Sequence, residues 1–245
     1  AATAPRGASV SGVSPVVSGA GPDWWAAVQQ QIEEDRFTLV EGESEGGTPF
    51  YGAHNPVHGL DLAFSQDGVH VAPAGKGGEL DADVSWHWGL RLSGYGYDGR
   101  IQPLAASPGM KADGQTLAYA HAGLSEWYIN DERGLEQGLV LDAPPPGGGE
   151  GTALVLEMAL DTGLVPVLGD DAQSIDFLAG DGGAAVLRYT DLTVVDAAGS
   201  ELAAHLAVAP GRVSIWIDDV GAAYPLLVDP VLIASDWVVL GDTYN

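Results

Sequence analysis

Carboxylates are the residues best equipped for chemistry in this chain, and one short stretch gathers four of them: Glu126, Asp131, Glu132 and Glu136. Two such groups could be the acid and base of a glycosidase, their separation deciding whether the anomeric centre is retained or inverted. With 34 acidic residues in the chain, chance proximity outweighs that reading. Three acidic pairs, Asp81/Asp83, Asp170/Asp171 and Asp218/Asp219, supply the hard oxygens that calcium takes. None lies in a D-x-[DN]-x-[DN]-G loop with its closing Glu, so they are weak metal candidates and calcium would only bridge loops. His54 and His58 have the i, i+4 spacing of a zinc helix, but Pro56 between them disfavours a helix and no Glu follows His54. Loop histidines satisfied by backbone groups are the expectation. The absence of cysteine removes thiolate nucleophiles, disulfides and cysteine zinc sites. No nucleophile elbow, Walker loop or dinucleotide-binding glycine turn occurs, and Gly94-Tyr95-Gly96 reads as a bend. No catalytic or cofactor-binding residue is assigned.

Aromatic side chains raise a second chemistry, since an exposed Trp stacks on the face of a pyranose. Trp86 and Trp88 alternate with Ser85, His87 and Gly89 in step with Val84, Leu90 and Leu92, which places them on a core face. Trp216 lies opposite Val213, Ile215 and Ile217 and is the aromatic left for a partner, a second layer or a ligand.

The elements that must position these residues follow from period-two alternation. It is clearest from Val84 to Ser93 and recurs at Leu154/Leu156/Met158/Leu160, at Leu202/Ala204/Leu206/Val208 and at Val213/Ile215/Ile217. Asp67-Gly68, Asp98-Gly99, Asp113-Gly114, Asp181-Gly182 and Ala198-Gly199 supply turns between such runs. The expected fold is mostly β, an antiparallel sandwich that could hold two stacked sub-sheets. One short helix precedes it, capped by Asp23 and running to Arg36 with Trp24, Val28 and Ile32 on one side. Residues 1–22 form an Ala/Ser/Gly/Pro arm with one charge, 23–230 a single sandwich domain with a Pro/Gly loop at 144–149, and 231–245 a C-terminal extension. The arm is the expected contact with a protein partner or with copies of the chain.

Composition narrows the function classes. Nine basic residues against 34 acidic ones leave a net charge of −25, which excludes nucleic acid and disfavours anionic membranes, because both need clustered cations. A 46% hydrophobic content with seven Trp is too apolar for a disordered acidic tail. No run reaches the ~18 apolar residues of a spanning helix. The start Ala1-Ala2-Thr3-Ala4-Pro5 fits cleavage at a small-residue signal site, so export to the periplasm, cell surface or medium is expected.

Leu124-Ser125-Glu126-Trp127-Tyr128-Ile129-Asn130, continued by Asp131-Glu132-Arg133-Gly134-Leu135-Glu136-Gln137-Gly138, resembles the E-W-Y-x-N-x-x-x-G-L-E-Q-G stretch of a β-rich domain that precedes FG-GAP, integrin-α-type propeller repeats in large secreted bacterial proteins. Trp24 to Ile32, Ala53-His54-Asn55, Asp196-Ala197-Ala198-Gly199 and Tyr224-Pro225-Leu226-Leu227-Val228-Asp229-Pro230 fit the same pattern. The resemblance covers roughly residues 24–230 and implies a non-catalytic extracellular module, although only Val231 to Asn245 remain where propeller repeats would follow. Within the motif, Gly134 and Gly138 are expected to permit bends, Trp127 and Ile129 to share a strand face, and Glu126 and Asn130 to satisfy nearby backbone groups. The expected function is an exported structural or protein-interaction module, an accessory subunit of an extracellular or cell-envelope assembly. The alternative is a carbohydrate-binding module, and a glycan-active enzyme using Glu126 or Glu136 is the third.

Overall fold

The computed structural model describes residues 36–44, 46–75, 86–104, 109–148 and 151–235, all within one unit of residues 34–245. The arm, the helix up to residue 35, and Asp81 and Asp83 lie outside the described residues. In chain order the strands are β1 (Val40–Glu43), β2 (Pro49–Asn55), β3 (Leu60–Ser65), β4 (Gly68–Pro73), β5 (Trp88–Tyr97), β6 (Arg100–Pro103), β7 (Gly109–Asp113), β8 (Thr116–His121), β9 (Leu124–Asp131), β10 (Gly134–Leu141), β11 (Leu154–Thr162), β12 (Val165–Leu168), β13 (Ile175–Leu178), β14 (Ala185–Val195), β15 (Ala204–Ala209), β16 (Arg212–Ile217) and β17 (Leu226–Ala234).

They pair antiparallel in two sheets. Sheet A runs β1-β2-β3-β4-β5-β11-β16-β15, and β6 pairs with the second half of β5. Sheet B runs β12-β13-β14-β17-β10-β9-β8-β7. The inner faces meet in one core, where Trp88 of sheet A meets Phe177 of sheet B edge-on with ring centroids 5.7 Å apart, and Phe64 meets Tyr128 at 5.4 Å. The fold is an antiparallel β-sandwich, as the alternation predicts.

Alternation assigns the core face correctly through most of sheet A. Trp88, Leu90 and Leu92 are buried, as are Leu154, Leu156, Met158, Leu206, Val213, Ile215 and Ile217. Trp86 packs against the core half-buried, ahead of the strand. The Asp-Gly pairs and Ala198-Gly199 fall at hairpin turns, and the 144–148 stretch is the loop that carries the chain from β10 in sheet B to β11 in sheet A.

Three boundaries differ from expectation. Gly94-Tyr95-Gly96 is no bend: it lies inside β5, where β6 crosses so closely that a Cβ on Gly94 would sit 2.8 Å from the Gln102 carbonyl. β5 starts at Trp88, which pairs with Val71 of β4 and Thr162 of β11; Val84 and Ser85 lie outside the described residues. β17 runs through residue 230 to Ala234, since it pairs with both β10 and β14 and cannot end at Pro230 without orphaning them.

Candidate functional site

The two carboxylates that a glycan-active reading needs are on opposite faces of sheet B. Period-two alternation along β9 turns Leu124, Glu126, Tyr128 and Asn130 inward and Ser125, Trp127, Ile129 and Asp131 outward. Glu126 is 3% exposed and faces the core, whereas Glu136 pairs across the ladder with outward-facing Ile129. A sheet one residue thick separates them, so they cannot serve as acid and base on one substrate.

Glu126 instead centres a buried polar network. Its Oε1 accepts from the Tyr128 hydroxyl at 2.8 Å and from Gln137 Nε2 at 2.9 Å, and its Oε2 lies 2.9 Å from His121 Nε2. Tyr189 donates to Gln137 Oε1 at 2.6 Å. Burial first, and then the Glu126 charge, raises the hydroxyl pKa of Tyr119, Tyr128 and Tyr189, so all three remain donors. Tyr119 spends its proton on the Ser65 carbonyl at 2.9 Å, tying sheet B to the β3–β4 turn of sheet A. The adjoining cavity, bounded by Arg91, Tyr119, His121 and Glu126, measures about 10 Å³, room for one water and no substrate. This network is a polar tie within the core.

Asn130 plays a similar part at the end of the β9–β10 hairpin. Its Nδ2 donates to the Phe37 carbonyl at 3.0 Å and the His54 carbonyl at 3.1 Å, while its Oδ1 accepts from Asn55 Nδ2 at 2.8 Å. Asn55 Nδ2 also donates to the Asp131 carbonyl, and its Oδ1 accepts the amides of Val57 and His58. Asn130 therefore satisfies backbone groups as expected. Glu126 does not: its partners are all side chains.

Other sequence candidates are spent on local structure. His58 accepts the Ala234 amide through Nδ1 and faces the Glu132 carbonyl through Nε2, and His54 meets the Asp61 carboxylate at 2.8 Å. The Asp171 carboxylate accepts the Gln173 amide, Asp218 accepts the Val220 amide, and Asp219 takes the hydroxyls of Tyr97 and Tyr224 at 2.8 and 2.6 Å. Asp170 is exposed beside Asp171. Among the described residues, no three acidic or histidine side chains converge as a metal site. Asp196, in the hairpin of the resemblance, accepts the Ala223, Ser200 and Ala198 amides, which holds its carboxyl below the usual range. Trp216 does lie on the outer face of sheet A, but one side of its ring is stacked on His205, with centroids 6.1 Å apart.

The outer face of sheet B presents the least explained chemistry. Ile129, Glu136 and Val231 form one cross-strand row; Trp127, Gly138 and Asp229 form the next; Val140 and Leu227 follow. Gly138 sits mid-strand and makes no bend. A Cβ there would lie 1.9 Å from the Trp127 indole, so the missing side chain is what lets that ring lie flat on the sheet. Glu136 is 7% exposed and ion-paired with Arg133, which also grips Asp131. Asp229 Oδ1 is buried without a hydrogen-bond partner. Apolar side chains thus ring two adjacent acids.

Burial first, then the charge and hydrogen bond of Glu136, push the Asp229 carboxyl from the usual 3.8 up to about 6, with Arg133 opposing. An acid with a raised folded pKa contributes nothing below about 3.8, where both states are protonated, and destabilises increasingly as pH rises to about 6. The gap corresponds to ~3 kcal/mol, reduced to ~1–2 kcal/mol because the carboxyl is partly open to solvent. Asp229→Asn is accordingly expected to stabilise the protein by ~1–2 kcal/mol at pH 7 and by nothing at pH 3.5. Urea unfolding at both pH values checks this, and an equal effect at the two would contradict it.

No protein-family model matches the chain, and neither does any curated protein. Among the described residues no helix is long and apolar enough to cross a membrane. Sequence reasoning overlooked His121, Gln137, Tyr189 and Asp229. Alternation with Leu124 was the available signal for Glu126, Tyr128 and Asn130 facing inward, but it competes with Trp127 and Ile129, which claim the core on hydrophobicity alone.

Proposed function

We propose that this chain is a non-catalytic, exported interaction module, an accessory subunit that binds a protein partner through the outer face of sheet B. The observation that carries this reading is the apolar surface of Trp127, Ile129, Val140, Leu227, Val231 and Ile233, which faces away from the core. A sheet needs one apolar face to fold, and a second one marks a contact. The acids at its centre and the net charge of −25 favour a partner that brings a basic group among apolar ones. Export and a place in an extracellular or cell-envelope assembly rest on the resemblance to the domain preceding FG-GAP repeats.

Native mass measurement of material from the source tests the reading. A complex heavier than the 25.2 kDa chain is expected, and Val231→Lys should release the partner while leaving the fold intact. A wild-type chain that travels alone would overturn the proposal. The second reading, a carbohydrate-binding module, is favoured by the Trp127 indole lying flat beside two carboxylates, an arrangement that can stack on a sugar ring and accept its hydroxyls. Glycan-array binding lost in Trp127→Ala would select it.

A further inference from the structure

The outer face of sheet B carries more negative charge than its cation can answer. Arg133 grips both Asp131 and Glu136. Against that single guanidinium, Asp131, Glu136 and Asp229 leave one charge in excess while Asp229 holds a proton, and two once it is ionised.

Strand register fixes where the excess falls. Val228 is buried in the core, so Asp229 turns the other way, in the row it shares with Gly138 and Trp127; Glu136 lies one row along, between Ile129 and Val231. Diagonal neighbours on adjacent strands come within reach of each other's side chains, and here the two carboxyls are hydrogen-bonded. Glu136 is buried, whereas Asp229 is half-buried, with Oδ1 enclosed and unpartnered. A Cβ on Gly138 would meet Cε2 and Cζ2 of Trp127, so the indole extends from β9 across β10, towards the strand that carries Asp229. An indole face beside carboxylates is a seat for a cation, which the ring quadrupole and the charges both attract.

Among the described residues, the elements packed around Asp229 bring it no cation of its own. β10 brings Glu136, and β9 brings Trp127. β14 brings Thr193 in the ladder, exposed Asp191 in its bulge and, from the inner side, Tyr189, whose hydroxyl burial and nearby carboxylates keep protonated. The turn between β9 and β10 brings Arg133, already divided between two acids, and Arg188 farther along β14 is paired with Asp176.

We propose that a docked protein partner seats a lysine side chain over Trp127 with its ammonium between Asp229 and Glu136, and that docking is gated by the proton these two carboxyls share, weakening as the site is acidified. This rests on the reading of the outer face of sheet B as the docking surface. The lysine stem has Trp127, Val140 and Leu227 to lie along while its head reaches the acids.

The direction of the gate follows from which form a cation selects. Burial and Glu136 hold the Asp229 carboxyl up to about 6 in the free protein. An ammonium binds the ionised form, so affinity is full above that value, falls as pH drops through it, and binding in between releases a proton. Asp229 is about one-tenth ionised at pH 5.0 and almost wholly ionised at pH 7.5, which makes apparent affinity ~10-fold weaker at the lower pH.

The test uses the full chain and n-butylammonium, the lysine side chain without its backbone, with n-butanol as the neutral control. The NMR signal of the Trp127 indole N–H should move on titration with n-butylammonium, with an apparent Kd ~10-fold higher at pH 5.0 than at pH 7.5, and n-butanol should show no such difference. Asp229→Asn, expected above to stabilise the fold at pH 7, should bind at both pH values as weakly as the wild type does at pH 5.0. Glu136→Gln should move the midpoint of the pH dependence below about 6, because it removes the charge that holds the Asp229 carboxyl up. Asp161→Asn, an exposed acid on the outer face of sheet A, should change nothing. An unmoved Trp127 signal, equal affinity at the two pH values, or full binding by Asp229→Asn would overturn the proposal. The same pH series on the native complex from the source separates this inference from the reading beneath it. A complex that holds equally at pH 5.0 and 7.5 overturns the gate alone, and a chain that travels alone at every pH overturns both.

Discussion

Replacing Glu126 with Leu should cost about 3–5 kcal/mol of folding stability, the range for breaking a buried, fully hydrogen-bonded charge cluster. Leu fills the space, so the loss comes from what it leaves behind. The Tyr128 hydroxyl, Gln137 Nε2 and His121 Nε2 lose their shared acceptor inside the core, and each buried orphan donor costs ~1–3 kcal/mol before relaxation. Glu126→Gln should lose less than half as much, because its amide oxygen still accepts from Tyr128 and Gln137. Urea unfolding of the two variants beside the wild type checks both figures. If Glu126→Leu lost under 1 kcal/mol, the network would not be a structural tie, and a role for Glu126 in chemistry would have to be reopened.

A second large effect is expected at Asn130. Its amide group donates to two carbonyls from distant parts of the chain, Phe37 and His54, and accepts from Asn55. Asn130→Ala should cost ~2–4 kcal/mol by leaving buried carbonyls unpaired. Asn130→Asp should be worse than Ala, although it is the closer isostere. A carboxylate cannot donate, so it would point charge at two carbonyl oxygens in a site only 1% exposed. Thermal unfolding at neutral pH orders the variants; an Asp variant as stable as wild type would refute the assignment of donor and acceptor. Both predictions treat the E-W-Y-x-N segment as architecture. The two inward polar side chains tie strands and loops together, Tyr128 between them also faces the core, and Trp127 is turned outward.

That segment also marks where sequence reasoning stops. In β5, β11 and β16 the main hydrophobic run falls on one parity, Trp88/Leu90/Leu92, Leu154/Leu156/Met158/Leu160 and Val213/Ile215/Ile217, so the core face is legible from the order of residues despite Tyr95, Tyr97, Val155 and Trp216 on the other. β9 has good candidates on both parities: Glu126, Tyr128 and Asn130 on one, Trp127 and Ile129 on the other. Hydrophobicity favours the second set, yet the first faces the core. Inward placement of Glu126 is tolerable only because Gln137 from β10 and His121 from β8 arrive to satisfy it, with Tyr189 from β14 bonded in turn to Gln137, and Trp127 can turn outward only because Gly138 on the neighbouring strand leaves it a seat. Each condition depends on the register between paired strands, to which period-two alternation is blind.

The acidic pairs illustrate the same limit from the functional side. Asp170/Asp171 and Asp218/Asp219 look like ligands because they are adjacent in the chain, but Asp171, Asp218 and Asp219 are occupied with amides and tyrosine hydroxyls. Asp229 and Glu136 are distant in sequence and become the electrostatically coupled pair because β17 lies beside β10.

By itself, the sequence determined the all-antiparallel character of the described residues, the positions of most turns, the core face of sheet A, and a net charge of −25. Those properties follow from local periodicity, from Asp-Gly chemistry and from composition, none of which depends on which strands are neighbours. The tertiary structure decided that Glu126 and Glu136 lie on opposite sides of one sheet, that an apolar outer face surrounds a pair of acids, and that the turn at 172–173 covers the first half of the β15 edge. Strand order creates all three, since a carboxylate's partners, a sheet's outer surface and an edge exist only once residues remote in the chain are hydrogen-bonded side by side.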